Sequence, residues 1–105
     1  MSMSELSRLQ ESALQATTLL KSMSNSHRLL ILCMLIDNPG TSSGELAQLT
    51  GLTPSATSQH LAKMKQDGLI ESERVAQKVH YFIKNDAVKK VISTLKDIYC
   101  PEDFT

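Results

Sequence analysis

The stretch SSGELAQLTGLTPSATSQHLAKMKQDGLI, residues 42–70, constrains this chain more than any other part of it. It reads as two short helices around a tight turn. Leu46, Ala47 and Leu49 mark the apolar side of the first helix, and Gly51 ends it because glycine enters the left-handed stop conformation without a steric penalty. Thr53 then suits an N-cap and Pro54 a first helical position. In the second helix, residues 53–66, Thr57, Leu61 and Met64 share one face at i, i+4 and i+7, and Asp67-Gly68 closes it. The opposite face carries Ser55, Ala56, Ser58, Gln59, Ala62, Lys63 and Gln66 and is polar, small and partly basic.

Two helices with this spacing form either an ordinary helical hairpin with a solvated outer face or a helix-turn-helix, whose second helix enters the DNA major groove. The residue types favour the second reading. Ser55 and Ala56 are small enough to let backbone approach DNA, Gln59 can pair bidentately with adenine, and Lys63 and Lys65 suit phosphate contacts. Charge distribution agrees, although the net charge is zero. Residues 53–84 carry five basic and three acidic side chains, whereas residues 1–52 carry three and four, and residues 85–105 again three and four. A central basic excess this small fits a DNA face and also fits a merely solvated one.

The flanks complete a mainly α fold with a small β-hairpin. Leu6, Leu9, Ala13, Ala16, Leu20 and Met23 recur at spacings of three and four, predicting an amphipathic helix over residues 5–23. A second helix opens at Asn25 or Ser26 and runs through HRLLILCMLI to Asn38-Pro39-Gly40; apolar nearly all round, it is the expected central core helix. After Gly68 the period changes. LIESERV and KVHYFI are β-rich and separated only by Ala76 and Gln77, a hairpin without the Asn-Gly or Gly-X turn of the tightest kind. In its second strand Val79, Tyr81 and Ile83 alternate with Lys78, His80, Phe82 and Lys84. A hairpin placed there is a wing, with Arg74, Lys78 and His80 expected near its tip. Asn85 or Asp86 caps a last helix whose stripe is Val88, Val91, Ile92, Leu95, Ile98 and Tyr99, ended by Pro101.

The chain is one domain, residues 1–105, comprising first and last helices (1–24 and 85–100), a helix-turn-helix (42–67) and a wing (69–84). An apolar run long enough for a membrane span is missing from the sequence, as is a secretory start, so the expected compartment is the cytoplasm. No Ser-His-Asp set, paired carboxylates or Gly-rich phosphate loop points to an enzyme. The three histidines, His27, His60 and His80, are far apart in the pattern, the last helix has none, and no metal site is expected.

This order of elements, together with LLKSMSNSHRLLILCML, the SxxSQHLxxMxxxGL run from Ser55 to Leu69, and VHYFI, resembles the ArsR family of bacterial winged-helix repressors over essentially the whole chain. The resemblance implies that Ser55, Ala56, Ser58, Gln59 and His60 face DNA, and that the first and last helices pair in a homodimer on a near-palindromic double-stranded operator. Two amphipathic terminal helices independently expose more apolar surface than a chain of this size can cover alone. Family members that bind thiophilic metals have a Cys-x-Cys pair before the recognition helix; here the residues are Ser43-Gly44-Glu45-Leu46. Cys33 and Cys100 instead resemble the pair of a subgroup in which reactive sulfur species or oxidation join two cysteines and DNA is released. A thiolate that attacks sulfane sulfur can be resolved by a second thiol into a disulfide or longer bridge. The competing readings are a small core thiol at Cys33 with a chance surface thiol at Cys100, in a constitutive DNA-binding or anti-repressor protein. A further alternative is haem ligation at Cys100-Pro101, a dipeptide found at some haem-sensing sites.

Overall fold

A computed structural model describes residues 1–101; the last four residues of the expected 1–105 domain lie outside the described residues. The order is α1 (Met3–Met23), α2 (Ser26–Asp37), β1 (Thr41–Ser42), α3 (Ser43–Thr50), α4 (Pro54–Gln66), β2 (Ile70–Val75), β3 (Lys78–Ile83) and α5 (Asp86–Tyr99). This is a winged helix-turn-helix, and each helix starts where its capping chemistry says it should. Asn25 Oδ1 accepts the amides of His27 and Arg28 at 2.9 and 3.1 Å. Ser42 and Glu45 form a reciprocal capping box, Thr53 Oγ1 accepts the Ala56 amide at 3.1 Å, and Asn85 caps α5. Such caps satisfy amides that the first helical turn leaves without partners.

The core is built around α2. Ile31, Leu32 and Leu35 are buried against Leu46 of α3, Leu61 and Met64 of α4, Leu69, Ile70 and Ile83 of the wing, and Val88 and Ile92 of α5. Only Met23 represents α1 in this cluster. The rest of its stripe stays open, with Leu6, Leu9 and Leu20 at 40, 54 and 52% exposure. Shape reports the same thing: the Cα radius of gyration is 15.7 Å, against about 13 Å for a compact chain of this length. The single stripe read on α5 also divides, since Val88 and Ile92 enter the core while Ile98 and Tyr99 are exposed. On α3, Leu46 and Ala47 are buried but Leu49 is exposed, because an eight-residue helix lying on one layer covers only a narrow arc. Among the described residues no helix is long and apolar enough to cross a membrane.

The wing is larger than a hairpin. The two residues of β1 add a third strand, giving the antiparallel order β1-β3-β2 with Thr41 opposite Tyr81 and Ser42 opposite His80. A two-residue strand has no periodicity to read, so only tertiary pairing reveals it. Its presence corrects the alternation expected for β3. Val79, His80, Tyr81 and Phe82 are all half-buried, and the segment leading into β1 lies against His80 and Phe82. Gly40, at φ 86°, sits so close that a β-carbon there would meet the Phe82 ring at 3.3 Å.

Val75 pairs with Lys78 across a two-residue turn in which Ala76 takes φ 58°. The left-handed region costs a non-glycine residue about 1–2 kcal/mol, and glycine recovers this at an entropic cost of about 0.5–1 kcal/mol. Ala76→Gly is expected to raise unfolding stability by roughly 0.5–1 kcal/mol in urea titrations; a loss of stability would show that the turn tolerates alanine without strain.

Candidate nucleic-acid interface

Helix α4 has two chemically different sides. Thr57, Leu61 and Met64 are buried, while Ser55, Ser58, Gln59, Ala62, Lys63 and Gln66 are exposed and Ala56 is half-exposed. Thr53 and Pro54 begin the helix at its outer end, and Gly51 at φ 72° turns α3 into it. The polar outer face and the buried face therefore come from one 13-residue helix whose first two residues, Pro54 and Ser55, are exposed.

The basic residues singled out from sequence are placed differently from one another. Lys63 pairs with Asp67 at 3.4 Å, an exposed i, i+4 contact that leaves the ammonium on the outer side of α4. Lys65 donates to Ser72 Oγ at 2.7 Å, so it ties α4 to the wing. Arg74 and Lys78 are exposed beside the Ala76-Gln77 turn and form the wing tip. His80 does not belong to that tip. It lies opposite Glu73 and Ser42, and its Nδ1 is 2.8 Å from the Gly40 carbonyl, which ties the ring to the approach to β1. The Glu45 carboxyl nearby is held below the usual carboxylate range by its Ser42 hydrogen bonds, with Lys78 and His80 adding attraction.

His60 turns away from the outer face as well. Arg28 Nε donates to its Nδ1 at 3.2 Å, and the His27 ring lies 5.9 Å away, centroid to centroid. The expectation that the histidines are far apart is thus corrected for His27 and His60, because the first turn of α2 packs against the middle of α4. Arginine is only a donor, so the contact requires Nδ1 to be an unprotonated acceptor. Burial, then the charges of Arg28 and His27, hold His60 below its ordinary value of 6.5. Among the described residues no three His, Cys, Asp or Glu side chains gather in a way that could hold a metal ion.

A second constellation sits where α2 meets α5. Cys33 is half-buried and Cys100 exposed, and both are free thiols. Burial pushes the Cys33 thiol above its ordinary value; the Lys96 ammonium opposes this, while Cys100 and Asp37 add to it. Lys96 on α5 also pairs directly with Asp37 on α2. Cys33 and Asp37 are one turn apart on α2, as are Lys96 and Cys100 across the end of α5, so two i, i+4 pairs meet along one seam. Sequence reading identified both cysteines but missed Asp37 and Lys96, whose signal was this shared four-residue spacing.

The model of the family described as "Bacterial regulatory protein, arsR family" matches residues 25–72, the segment from the α2 cap into the wing. The chain is also 62% identical over 99 residues to the HTH-type transcriptional regulator YgaV of Escherichia coli (strain K12), covering 94% of this chain and 100% of that protein. It belongs to the arsR family of bacterial regulatory proteins. Over 95 residues this ArsR-family chain is 43% identical to the transcriptional activator HlyU of Vibrio cholerae, covering 90% of this chain and 87% of that one. Among solved structures, a predicted DNA-binding transcriptional regulator from E. coli superposes with a TM-score of 0.85 at 61% identity, over 90% of this chain and 99% of that one. This chain is accordingly a transcriptional regulator.

The His60 environment has a measurable consequence. The unfolded chain takes up a proton at the ordinary histidine value of 6.5, whereas folded His60 resists it until a lower pH. The unfolded state then binds more protons, so this contribution is complete above about pH 6.5 and is lost as pH falls toward the folded value. Urea midpoints are expected to drop between about pH 7.5 and 5, and to drop less in His60→Gln; identical profiles would show that His60 is not the group responsible.

Proposed function

We propose that this ArsR-family regulator acts in the cytoplasm as a homodimeric repressor of a near-palindromic double-stranded operator, and that reactive sulfur species release it through Cys33 and Cys100. Ser55, Ala56, Ser58 and Gln59 on the open face of α4 meet base edges, with Lys63 on phosphate and Arg74 and Lys78 of the wing on adjacent backbone. His60 and Lys65 support this face from behind, His60 through Arg28 and Lys65 through Ser72. The open leucines of α1 and the exposed end of α5 pair with a second copy, which sets two recognition helices about 34 Å apart, one DNA turn. An occupied operator excludes other proteins from the same DNA, which gives the repressor sense.

The observation that supports the sulfur arm is the α2–α5 seam: Cys33 and Cys100 are 67 positions apart in sequence, yet Cys100 lies close enough to add to the upward push on the Cys33 thiol. Exposed Cys100 is the first nucleophile and the less accessible Cys33 resolves the intermediate. Joining them straps the end of α5 to α2. Because α5 carries both the seam and part of the dimer face, the strap alters the spacing of the two recognition helices, and half-sites fixed by DNA tolerate little change in that spacing.

Gln59→Ala is expected to weaken operator binding by about 1–3 kcal/mol while leaving random-sequence binding nearly unchanged. Equal losses on both DNAs in titrations at one salt concentration would remove Gln59 from base readout.

Polysulfide treatment is expected to weaken operator binding by about 1–3 kcal/mol, reversibly with dithiol reductant, and Cys33→Ser and Cys100→Ser are each expected to bind constitutively. Intact mass beside a gel shift tests this: no bridge, or a bridge with binding unchanged, leaves a DNA-binding regulator without a thiol switch.

A further inference from the structure

The Cys33 and Cys100 seam is not a neutral place for a sulfur donor to arrive. Lys96 is one turn from Cys100 and only 26% exposed at its side chain, and its ammonium acts on Cys33 across the seam while pairing with Asp37. A cleft of about 320 Å³ opens there, lined by Ile36, Ser93, Lys96, Asp97, Cys100 and Pro101. A donor reaching Cys100 through this cleft therefore passes the Lys96 ammonium, with the carboxylates of Asp97 in the lining and Asp37 in the ion pair beside it. Sulfur donors divide by charge at neutral pH: hydropolysulfides and persulfides are largely anions, whereas common two-electron thiol oxidants such as diamide and hydrogen peroxide are neutral.

Resting on the sulfur-release reading above, we propose that Lys96 is the specificity-determining residue of the Cys33/Cys100 site, receiving anionic polysulfide and favouring it over neutral oxidants. The ammonium acts in three places. It raises the local concentration of the anion, it stabilises the negative charge that the leaving sulfur fragment acquires, and it lowers the cost of ionising Cys33 for the second displacement. Asp37 holds the ammonium over the seam, and its own carboxylate opposes the anion, so Lys96 and Asp37 act in opposite senses on the incoming donor while both contribute to the same ion pair.

With hydrotetrasulfide, HS–S–S–S⁻, the steps balance as follows. The Cys100 thiolate attacks the terminal sulfane sulfur, forming Cys100–S–SH and expelling the trisulfide dianion S₃²⁻. The Cys33 thiolate then attacks the inner sulfur of that persulfide, forming the Cys33–Cys100 disulfide and expelling HS⁻. The two thiolates lose two electrons, and the tetrasulfide gains them as it leaves as trisulfide and hydrosulfide. Diamide reaches the same disulfide without any anionic donor or anionic sulfur leaving group, so the ratio of the two rates isolates the contribution of the charge from that of thiol ionisation.

The test uses the full chain, reduced, with disodium tetrasulfide and diamide as probes and intact mass as the readout of bridge formation. Lys96→Gln is expected to lower the tetrasulfide-to-diamide rate ratio by about three- to tenfold and to abolish its decline with added salt. Lys96→Arg should restore the ratio to within about twofold, since the charge and its reach are kept. Asp37→Asn removes the ion pair but leaves the ammonium, and should hold the ratio or raise it. Operator binding of each reduced variant confirms the fold, because neither position lies on the DNA face. An unchanged ratio in Lys96→Gln, or an equal fall in Lys96→Gln and Asp37→Asn, overturns the proposal, the latter by showing that the ion pair matters only for packing. Failure of tetrasulfide to bridge the cysteines of the unaltered chain instead overturns the sulfur-release reading itself.

Discussion

Every part of this fold that carries function is positioned by the burial of one helix. Ile31, Leu32 and Leu35 of α2 are at most 1% exposed, and each of α3, α4, the wing and α5 presents its buried residues to them. Burying side chains of this kind contributes about 1.5–3 kcal/mol each, which is large against the 5–15 kcal/mol net stability of a typical domain. Helices as short as α3 do not persist alone in water; they are helical because packing on α2 compensates for the cost of nucleating them. The consequence for DNA recognition is direct, since α4 can commit its outer side to polar and small residues only because Thr57, Leu61 and Met64 hold it from the inside.

The same helix connects the DNA-reading and thiol-bearing halves of the molecule. Its first turn supports α4 through Arg28 and His60, and its last turns hold Cys33 and the Asp37 contact to Lys96. One 12-residue helix thus carries both a contact behind the recognition helix and a seam at the end of α5. A chemical change at the seam has two routes outward. One runs along α2 to α4 within a subunit, and the other, in the proposed dimer, runs through the uncovered faces of α1 and α5 to the second copy. The interior is close-packed and resists gradual deformation, whereas an interface between copies can shift as a body, so under the proposed dimer and thiol release the second route is the one expected to move the recognition helices.

Local chemistry made most of the fold legible. Caps at Asn25, Thr53 and Asn85, stops at Gly51 and Gly68, apolar spacing in the first and third helices, and the change from a helical to a two-residue period after Leu69 all act within a few residues, and they place the five helices and the hairpin to within a residue or two. The inner face of α4 was legible for the same reason, because Thr57, Leu61 and Met64 fall on one side by helical geometry alone. What local chemistry misjudged were positions whose surroundings come from elsewhere in the chain. His80 and Phe82 alternate in sequence with the apolar Val79, Tyr81 and Ile83, yet Gly40, leading into a strand too short to leave a pattern, lies against both. The excess apolar surface expected of α1 and α5 is present, but which stripe residues enter the core, Met23, Val88 and Ile92, is not legible from spacing alone.

The sequence by itself determined which segments are helical, where each begins and stops, which side of α4 is apolar, and that two cysteines are available for sulfur chemistry. These are properties of periodicity, capping and side-chain identity, and they do not depend on what lies across from a residue. Only the tertiary structure decided that His60 is held by Arg28 instead of facing outward with Gln59, that Lys65 serves the wing, and that Asp37 and Lys96 meet across the seam that carries Cys33 and Cys100. Each of these contacts is made between residues from different elements, and periodicity gives the face of a helix but not its neighbour. That neighbour is set by which apolar faces pack together around α2, and so it exists only once the chain has folded.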